Sequence, residues 1–208
     1  MLLPNEILIA TGNEGKFLEI SDLLSKLNVT GISPRRFNLI EPEETAQTFE
    51  GNSLLKAKFY GQKTGLFSLA DDSGLCVEAL SGKPGIHSAR FAINKKTGEK
   101  NFVQAFEKIF LQLKKNGVFP EQKPRAYFVC NLSLFDPKTN FSISFEGKID
   151  GHLTFPAIGN KGFGYDPIFI KEGMNKTFGE IDAKQKDQIS HRAIAFEKMT
   201  KWLQNQSL

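Results

Sequence analysis

EILIATGNEGKFLEISDLLSKL, residues Glu6–Leu27, changes its hydrophobic period once. Glu6–Ala10 is a compact apolar run with the length and β-branched content of a buried strand. Beyond it, Phe17, Ile20, Leu23, Leu24 and Leu27 recur at the spacing of one helix face. TGNEGK lies between the two, with glycines placed for a tight turn and Asn13 placed to cap a helix. The chain therefore opens strand, glycine turn, helix, and this order predicts an α/β fold.

Working outward, Val29–Ser33 reads as a second strand and Glu41–Asn52 as an acidic loop. Ser53–Thr64 predicts a helix with Leu54, Leu55 and Ala57–Phe59 inside, ending near Gly61 or Gly65. Leu66–Ala70 is a further apolar run, which should end in a loop at Asp71 and Asp72. Ser81–Ala92, rich in Gly and Pro, is long for a plain connection and has the character of a working loop. Glu99–Lys115 predicts the longest amphipathic helix, with Phe102, Phe106, Ile109, Phe110 and Leu113 on one face. Arg125–Asp136 and Phe141–Ile149, joined by PKTN, predict an antiparallel hairpin. A second Gly/Pro-laden segment, Asp150–Ile170, precedes a final helix whose N-cap is Ser190. With no internal repeat or linker, one domain over residues 1–208 and a mixed sheet are expected.

Composition bounds the function. The chain has 208 residues, 40% hydrophobic and 24% charged, as expected of an ordinary folded protein. Its net charge of +4 suits a polyanionic ligand but is too mild to require nucleic acid. Cys76 and Cys130, in strand-like contexts without metal spacing, read as buried thiols. No apolar run approaches the roughly 20 residues of a membrane helix. The N-terminus lacks the basic start of a signal peptide, so a cytoplasmic address is expected.

Four stretches could carry chemistry. The N–H groups at the helix start after Thr11–Lys16 favour an anion, and Lys16, Thr11 and Asn13 add charge and hydrogen bonds. The loop is not a Walker A motif, because only two residues separate Gly12 from Gly15 and Phe17 stands where a hydroxyl should bind magnesium. Asp71 and Asp72 are either turn residues or metal ligands, and Glu43 and Glu44 either a solvated face or their partners. Gly162–Phe169 is either a turn or a loop that stacks a flat ring on Phe163 or Tyr165 and reads its edge with Asp166. Lys184, Lys186, His191 and Arg192 are either a solvated helix end or donors to phosphate or base. Together these stretches describe one site for a nucleotide phosphate ester.

Taken in order, ATGNEGK, ADDSGL, GKPGIHSARF, GFGYDPIF and ISHR resemble the signature set of the inosine triphosphate pyrophosphatase family, over nearly the whole chain. The resemblance implies a long central mixed β-sheet with flanking helices, two lobes around a substrate cleft, and a homodimer. It implies Mg²⁺-dependent hydrolysis of ITP, dITP and XTP to the monophosphate and pyrophosphate, without nucleic acid or membrane. Carried across, Thr11, Gly12, Asn13, Glu14, Gly15 and Lys16 would contact the triphosphate, and Ser73 the substrate. Glu44 and Asp72 would serve the metal, with Asp72 also the base for the attacking water and Asp71 in support. Phe163 would stack on the purine with Gly164, Tyr165 and Asp166 completing that wall, while Lys186, His191 and Arg192 would meet the base. A rival from another class, a non-catalytic nucleotide- or RNA-binding protein, predicts binding without turnover and a steep fall of affinity with salt.

Overall fold

A computed structural model describes residues 3–206. Six strands form one mixed sheet in the order β2-β1-β3-β4-β5-β6. They are β1 (Glu6–Ile9), β2 (Thr30–Ile32), β3 (Ser68–Val77), β4 (Arg125–Asp136), β5 (Phe141–Leu153) and β6 (Phe169–Lys171). β1 pairs in parallel with both β2 and β3, whereas β5 and β6 are antiparallel. The helices are α1 (Glu14–Ser25), α2 (Phe49–Thr64), the single turn α3 (Ser88–Phe91), α4 (Phe102–Lys115), α5 (Ala183–Ile189) and α6 (His191–Asn205). The expected α/β class with a mixed sheet is thus the observed one.

The chain divides into two compact units. The first comprises residues 1–72, 130–147 and 189–208. Its core packs Ile20, Leu23 and Leu24 of α1 against Ile7, Ile9 and Leu69 of the strands, with Ala195, Phe196 and Met199 of α6 in the same cluster. The helical spacing read from Phe17 to Leu27 thus marks a face that is buried. Ser190 caps α6 by accepting the Ala193 N–H (3.1 Å), as its sequence position predicts. A side chain at Gly147 of β5 would run into the His191 carbonyl oxygen, so glycine there lets the first turn of α6 lie directly on the strand.

The second unit comprises residues 73–129 and 148–188. Phe128 of β4, Phe169 of β6 and Phe178 form its aromatic cluster, with the Phe128 and Phe169 centroids 4.6 Å apart. Ala105, Phe106, Ile109 and Leu113 are the buried face of α4.

Three local expectations are corrected. The amphipathic helix expected over Glu99–Lys115 is α4, three residues shorter at its start. It starts at Phe102 because the Asn101 side chain accepts the Gln104 N–H and caps it there. α2 turns Asn52, Ser53, Lys56, Ala57, Tyr60 and Gly61 inward, while Leu54 and Leu55 are only half-buried. The polar face is accommodated because it meets polar partners. Ser53 Oγ lies 2.9 Å from Asn131 Oδ1 and 2.6 Å from Ser133 Oγ, and Ser68 Oγ donates to the Ala57 carbonyl (2.6 Å). Finally, the run from Leu66 does not end in a loop at the aspartates. β3 continues through Asp71, Asp72, Ser73 and Gly74 to Val77.

Candidate active site

Two carboxylates in mid-strand need compensation, because an unpaired buried charge is strongly unfavourable. Asp71 is fully buried and finds three donors. Lys16 Nζ lies 2.5 Å from its Oδ1, while Arg192 Nε and the Cys130 thiol each lie 2.9 Å from Oδ2. Arg192, 1% exposed, also pairs through Nη1 with Glu19 of α1. Two acids and two bases therefore form a chain, Glu19–Arg192–Asp71–Lys16, that closes without net charge. Burial alone would raise the Asp71 pKa, but Arg192 and Lys16 outweigh it and hold the carboxyl well below its ordinary 3.8.

The sign of the pH effect follows. A depressed folded pKa gives stability that is present above the unfolded value and lost as pH falls through the folded one. Asp71 should therefore keep stabilising the fold down to pH 3.8 and lose its contribution only below it. Thermal melts of the wild type and of Asp71→Asn between pH 7 and 2 check this. The contrary result is a stability difference between them that has already vanished at pH 5.

Asp72, 4% exposed, faces a different cation. Lys56 Nζ lies 3.3 Å from Asp72 Oδ1 and 2.6 Å from Glu44 Oε1. Glu44 is carried by the loop before α2, which is tied down where the Ala46 N–H donates to the buried Asn52 side chain (3.0 Å). Thr48 then caps α2 by accepting the Gly51 N–H (3.0 Å). Burial pushes the Asp72 carboxyl above its usual value, against the pull of Lys56 and Lys16 and with the repulsion of Glu44 and Asp71. For Lys56, burial works downward, but Asp72 and Glu44 prevail and the ammonium stays charged. The second oxygen of Asp72, Oδ2, is buried with no hydrogen-bond partner.

The glycine turn is held by its own polar side chains. Asn13 caps α1 by accepting the Lys16 N–H (3.2 Å), and Thr11 Oγ1 accepts the Asn13 N–H (3.2 Å). Thr11 through Glu14, with Ser33 and Arg35, line a recess of about 220 Å³. Gly12 and Glu14 are exposed, and the Glu14 carboxylate pairs with Arg35 at 2.9 Å. Gly15 stands in the first turn of α1.

The aromatic loop forms its own cluster within the second unit. Asp166, 2% exposed, accepts the Phe163 N–H (2.8 Å) and lies 2.5 Å from Lys186 Nζ of α5. The Lys186 ammonium also stands 4.4 Å from the Phe163 ring centroid. Gly162 and Gly164 both take positive φ, and a side chain at Gly162 would collide with the Asp166 carboxylate. Tyr165 is buried, donates its hydroxyl to the Ser88 carbonyl (2.9 Å) and meets Phe102 edge-on at 5.3 Å. It supports the loop from below, leaving Phe163, which is half-buried, as the ring of the two with an accessible face. Ser73 is half-buried, directly after Asp72 on β3.

The structure thus brings Lys16, Asp71 and Arg192 together in one cluster, and Glu44 and Asp72 around Lys56. Phe163, Asp166 and Lys186 form another. Lys186, His191 and Arg192 are buried, so the solvated-end alternative does not hold for them, whereas Lys184 is exposed. His191 opens α6 with its side chain buried. Glu43 is exposed, and Glu44 is the glutamate paired within the cluster. Sequence reasoning missed Lys56, Glu19 and Cys130. Their only signal was a charge or thiol at a position that helical or strand spacing turns inward.

The residues present fit a hard cation. Among the described residues no group of three or more His, Cys, Asp or Glu side chains could hold a metal alone. A carboxylate pair with an unpartnered buried oxygen instead suits Mg²⁺, which keeps waters and takes substrate phosphates as further ligands.

Comparison with known proteins bears out the family resemblance. The chain is 44% identical over 199 residues to a dITP/XTP pyrophosphatase of Zymomonas mobilis, covering 95% of this chain and 91% of that one. It is 45% identical over 193 residues to a dITP/XTP pyrophosphatase of Rhodospirillum centenum, covering 93% and 92%. Among solved structures, a HAM1 protein from Coxiella burnetii superimposes with a TM-score of 0.84 at 32% identity, over 98% of this chain and all of that one. The Ham1 family model matches residues 7–202, and the chain belongs to the Ham1 family.

Proposed function

We propose that the protein hydrolyses the non-canonical purine nucleoside triphosphates ITP, dITP and XTP to the monophosphate and pyrophosphate, with Mg²⁺, clearing them from the nucleotide pool. The observation that carries this reading is the Asp72 carboxylate, buried beside Glu44 with one oxygen unpartnered. The similarity to dITP/XTP pyrophosphatases supports the substrate class. A cytoplasmic homodimer is part of the same proposal and rests on the resemblance; no helix among the described residues is long and apolar enough to cross a membrane.

Roles follow from the chemistry of each group. Glu44 and Asp72 would hold Mg²⁺, which when bound neutralises phosphate charge and polarises the phosphorus–oxygen bonds. Thr11, Asn13, the N–H groups of the α1 start and Lys16 bind the phosphate chain, and Asp71 orients Lys16 from behind. Asp72 orients a water and takes its proton as the oxygen attacks the α-phosphorus. The bond to the bridging oxygen breaks, and pyrophosphate leaves as a unit. The unpartnered Oδ2 of Asp72 supports this role, since an oxygen without a donor is available to accept a proton. Phe163 stacks on the purine, and Lys186 and His191 supply donors that accept a 6-oxo group and reject a 6-amino group.

The test is a substrate panel with product identification. Purified protein with Mg²⁺ should release pyrophosphate from ITP and XTP with kcat/KM on the order of 100-fold above that for ATP, whose 6-amino group the donors reject. Release of orthophosphate, or binding without turnover, rejects the pyrophosphatase reading in favour of a nucleotide-binding protein.

A further inference from the structure

Lys56 touches both carboxylates that the proposed function gives to Mg²⁺, and the present inference rests on that reading. Its Nζ lies 2.6 Å from Glu44 Oε1 and 3.3 Å from Asp72 Oδ1, and the residue is 3% exposed. An ammonium in contact with two carboxylates occupies the electrostatic position of a divalent ion, with half its charge. The remaining groups point the same way. Asp71, next along β3, is already saturated by Lys16, Arg192 and Cys130, so it offers Lys56 no comparable alternative. Asp72 Oδ2 remains unpartnered even with Lys56 in place. The pair is therefore satisfied on one side and open on the other.

We propose that Lys56 is a placeholder cation, which keeps the Glu44–Asp72 pair closed to free divalent metal until a polyphosphate arrives. Free metal has to displace the ammonium, which is buried and already held by both carboxylates. A polyphosphate changes the balance. It gives Lys56 another anion to turn towards, and it brings phosphate oxygens that complete the metal's coordination. Metal binding is then conditional on substrate, and a futile metal–carboxylate complex is avoided at physiological Mg²⁺. Removing the ammonium should make the nucleotide-free protein a better metal site, although it removes a positive charge that also contacts both ligands. The opposite sign is expected if Lys56 merely positions the carboxylates for metal.

The experiment titrates Mn²⁺ into nucleotide-free full-length protein at one fixed pH, read by the loss of the free-ion EPR signal. Lys56→Met should bind Mn²⁺ at least about tenfold more tightly than the wild type, because a unit charge a few ångströms from the ion is removed. Lys56→Arg, which keeps the charge, should stay near the wild-type value. Glu44→Gln placed on Lys56→Met should abolish the gain. Equal or weaker binding by Lys56→Met overturns the inference, as does tight binding by the nucleotide-free wild type. Should Lys56→Met not fold, Lys56→Gln is titrated in its place: binding at least about tenfold tighter than the wild type supports the inference, and equal or weaker binding overturns it. Failure of the underlying reading looks different, since wild-type hydrolysis would then survive complete chelation of divalent metal.

Discussion

Asp72→Asn should lower the rate of pyrophosphate release from ITP by about 10²–10⁴-fold while leaving the thermal transition within a few degrees of the wild type. The two halves of this expectation have separate causes. Amide and carboxylate are nearly isosteric, and an Asn side-chain oxygen can still accept from Lys56, so the interior of β3 is not left with a void. What disappears is the negative charge and the basicity, which the water-activating role needs together. The variant also discards the oxygen that is buried without a partner. Steady-state kinetics alongside a melting curve checks both halves. Turnover within tenfold of the wild type would remove Asp72 from the chemistry. A transition lowered by tens of degrees would show instead that the carboxylate is needed for folding.

Arg192→Met is expected to have the largest effect on stability. The guanidinium is 1% exposed and lies between Asp71 and Glu19, so its loss removes the buried cation that both carboxylates share, leaving Asp71 with Lys16 and the Cys130 thiol. Breaking a buried ion pair by removing one partner costs about 3–5 kcal/mol, more than the pair itself contributes. For a chain of this length that lowers Tm by on the order of 10 °C. Adding Glu19→Gln should recover part of the loss, because one of the two carboxylates that shared the guanidinium is then neutral. A Tm unchanged in Arg192→Met would mean that the ion chain does not hold the unit together. The same variant tests the role first expected of Arg192, selection of the base. A changed ratio of ITP to ATP turnover in the folded protein would support that role, and an unchanged ratio would assign the residue to the ion chain alone.

Much of this molecule was legible where one local signal dominates. The strand, turn and helix from Glu6 to Leu27 follow from a change of hydrophobic period. The capped start of α6 follows from Ser190, and β4 and β5 follow from two apolar runs joined by PKTN. Reading failed where long-range partners decide. β3 runs on through Asp71 and Asp72 because Lys16, Lys56 and Arg192, 16 to 121 residues away, compensate the charge. No local window contains them. On α2 the buried Ala57 was legible, but Ser53, Lys56 and Tyr60 look like surface residues until their long-range partners, such as Asn131, Ser133 and Asp72, are placed opposite. α5 passed unseen as a helix because its sequence, AKQKDQI, has too little apolar content to show a period. At the site, residue types were readable and commitments were not. Nothing in GFGYDPIF says that Tyr165 is spent on the Ser88 carbonyl and leaves Phe163 as the accessible ring.

The position of the two aspartates within β3, rather than on a loop, has a consequence for how this protein can fail. Catalytic side chains carried on loops can be lost by fraying, in a chain that is otherwise native, and can be recovered as easily. Asp71 and Asp72 are held by ladder hydrogen bonds in a buried strand, the class of backbone that opens only when the whole domain opens. Loss of these groups and loss of the fold are then a single event. A damaged molecule cannot persist as an intact protein with a slack centre, and it presents itself to proteolysis as an unfolded chain.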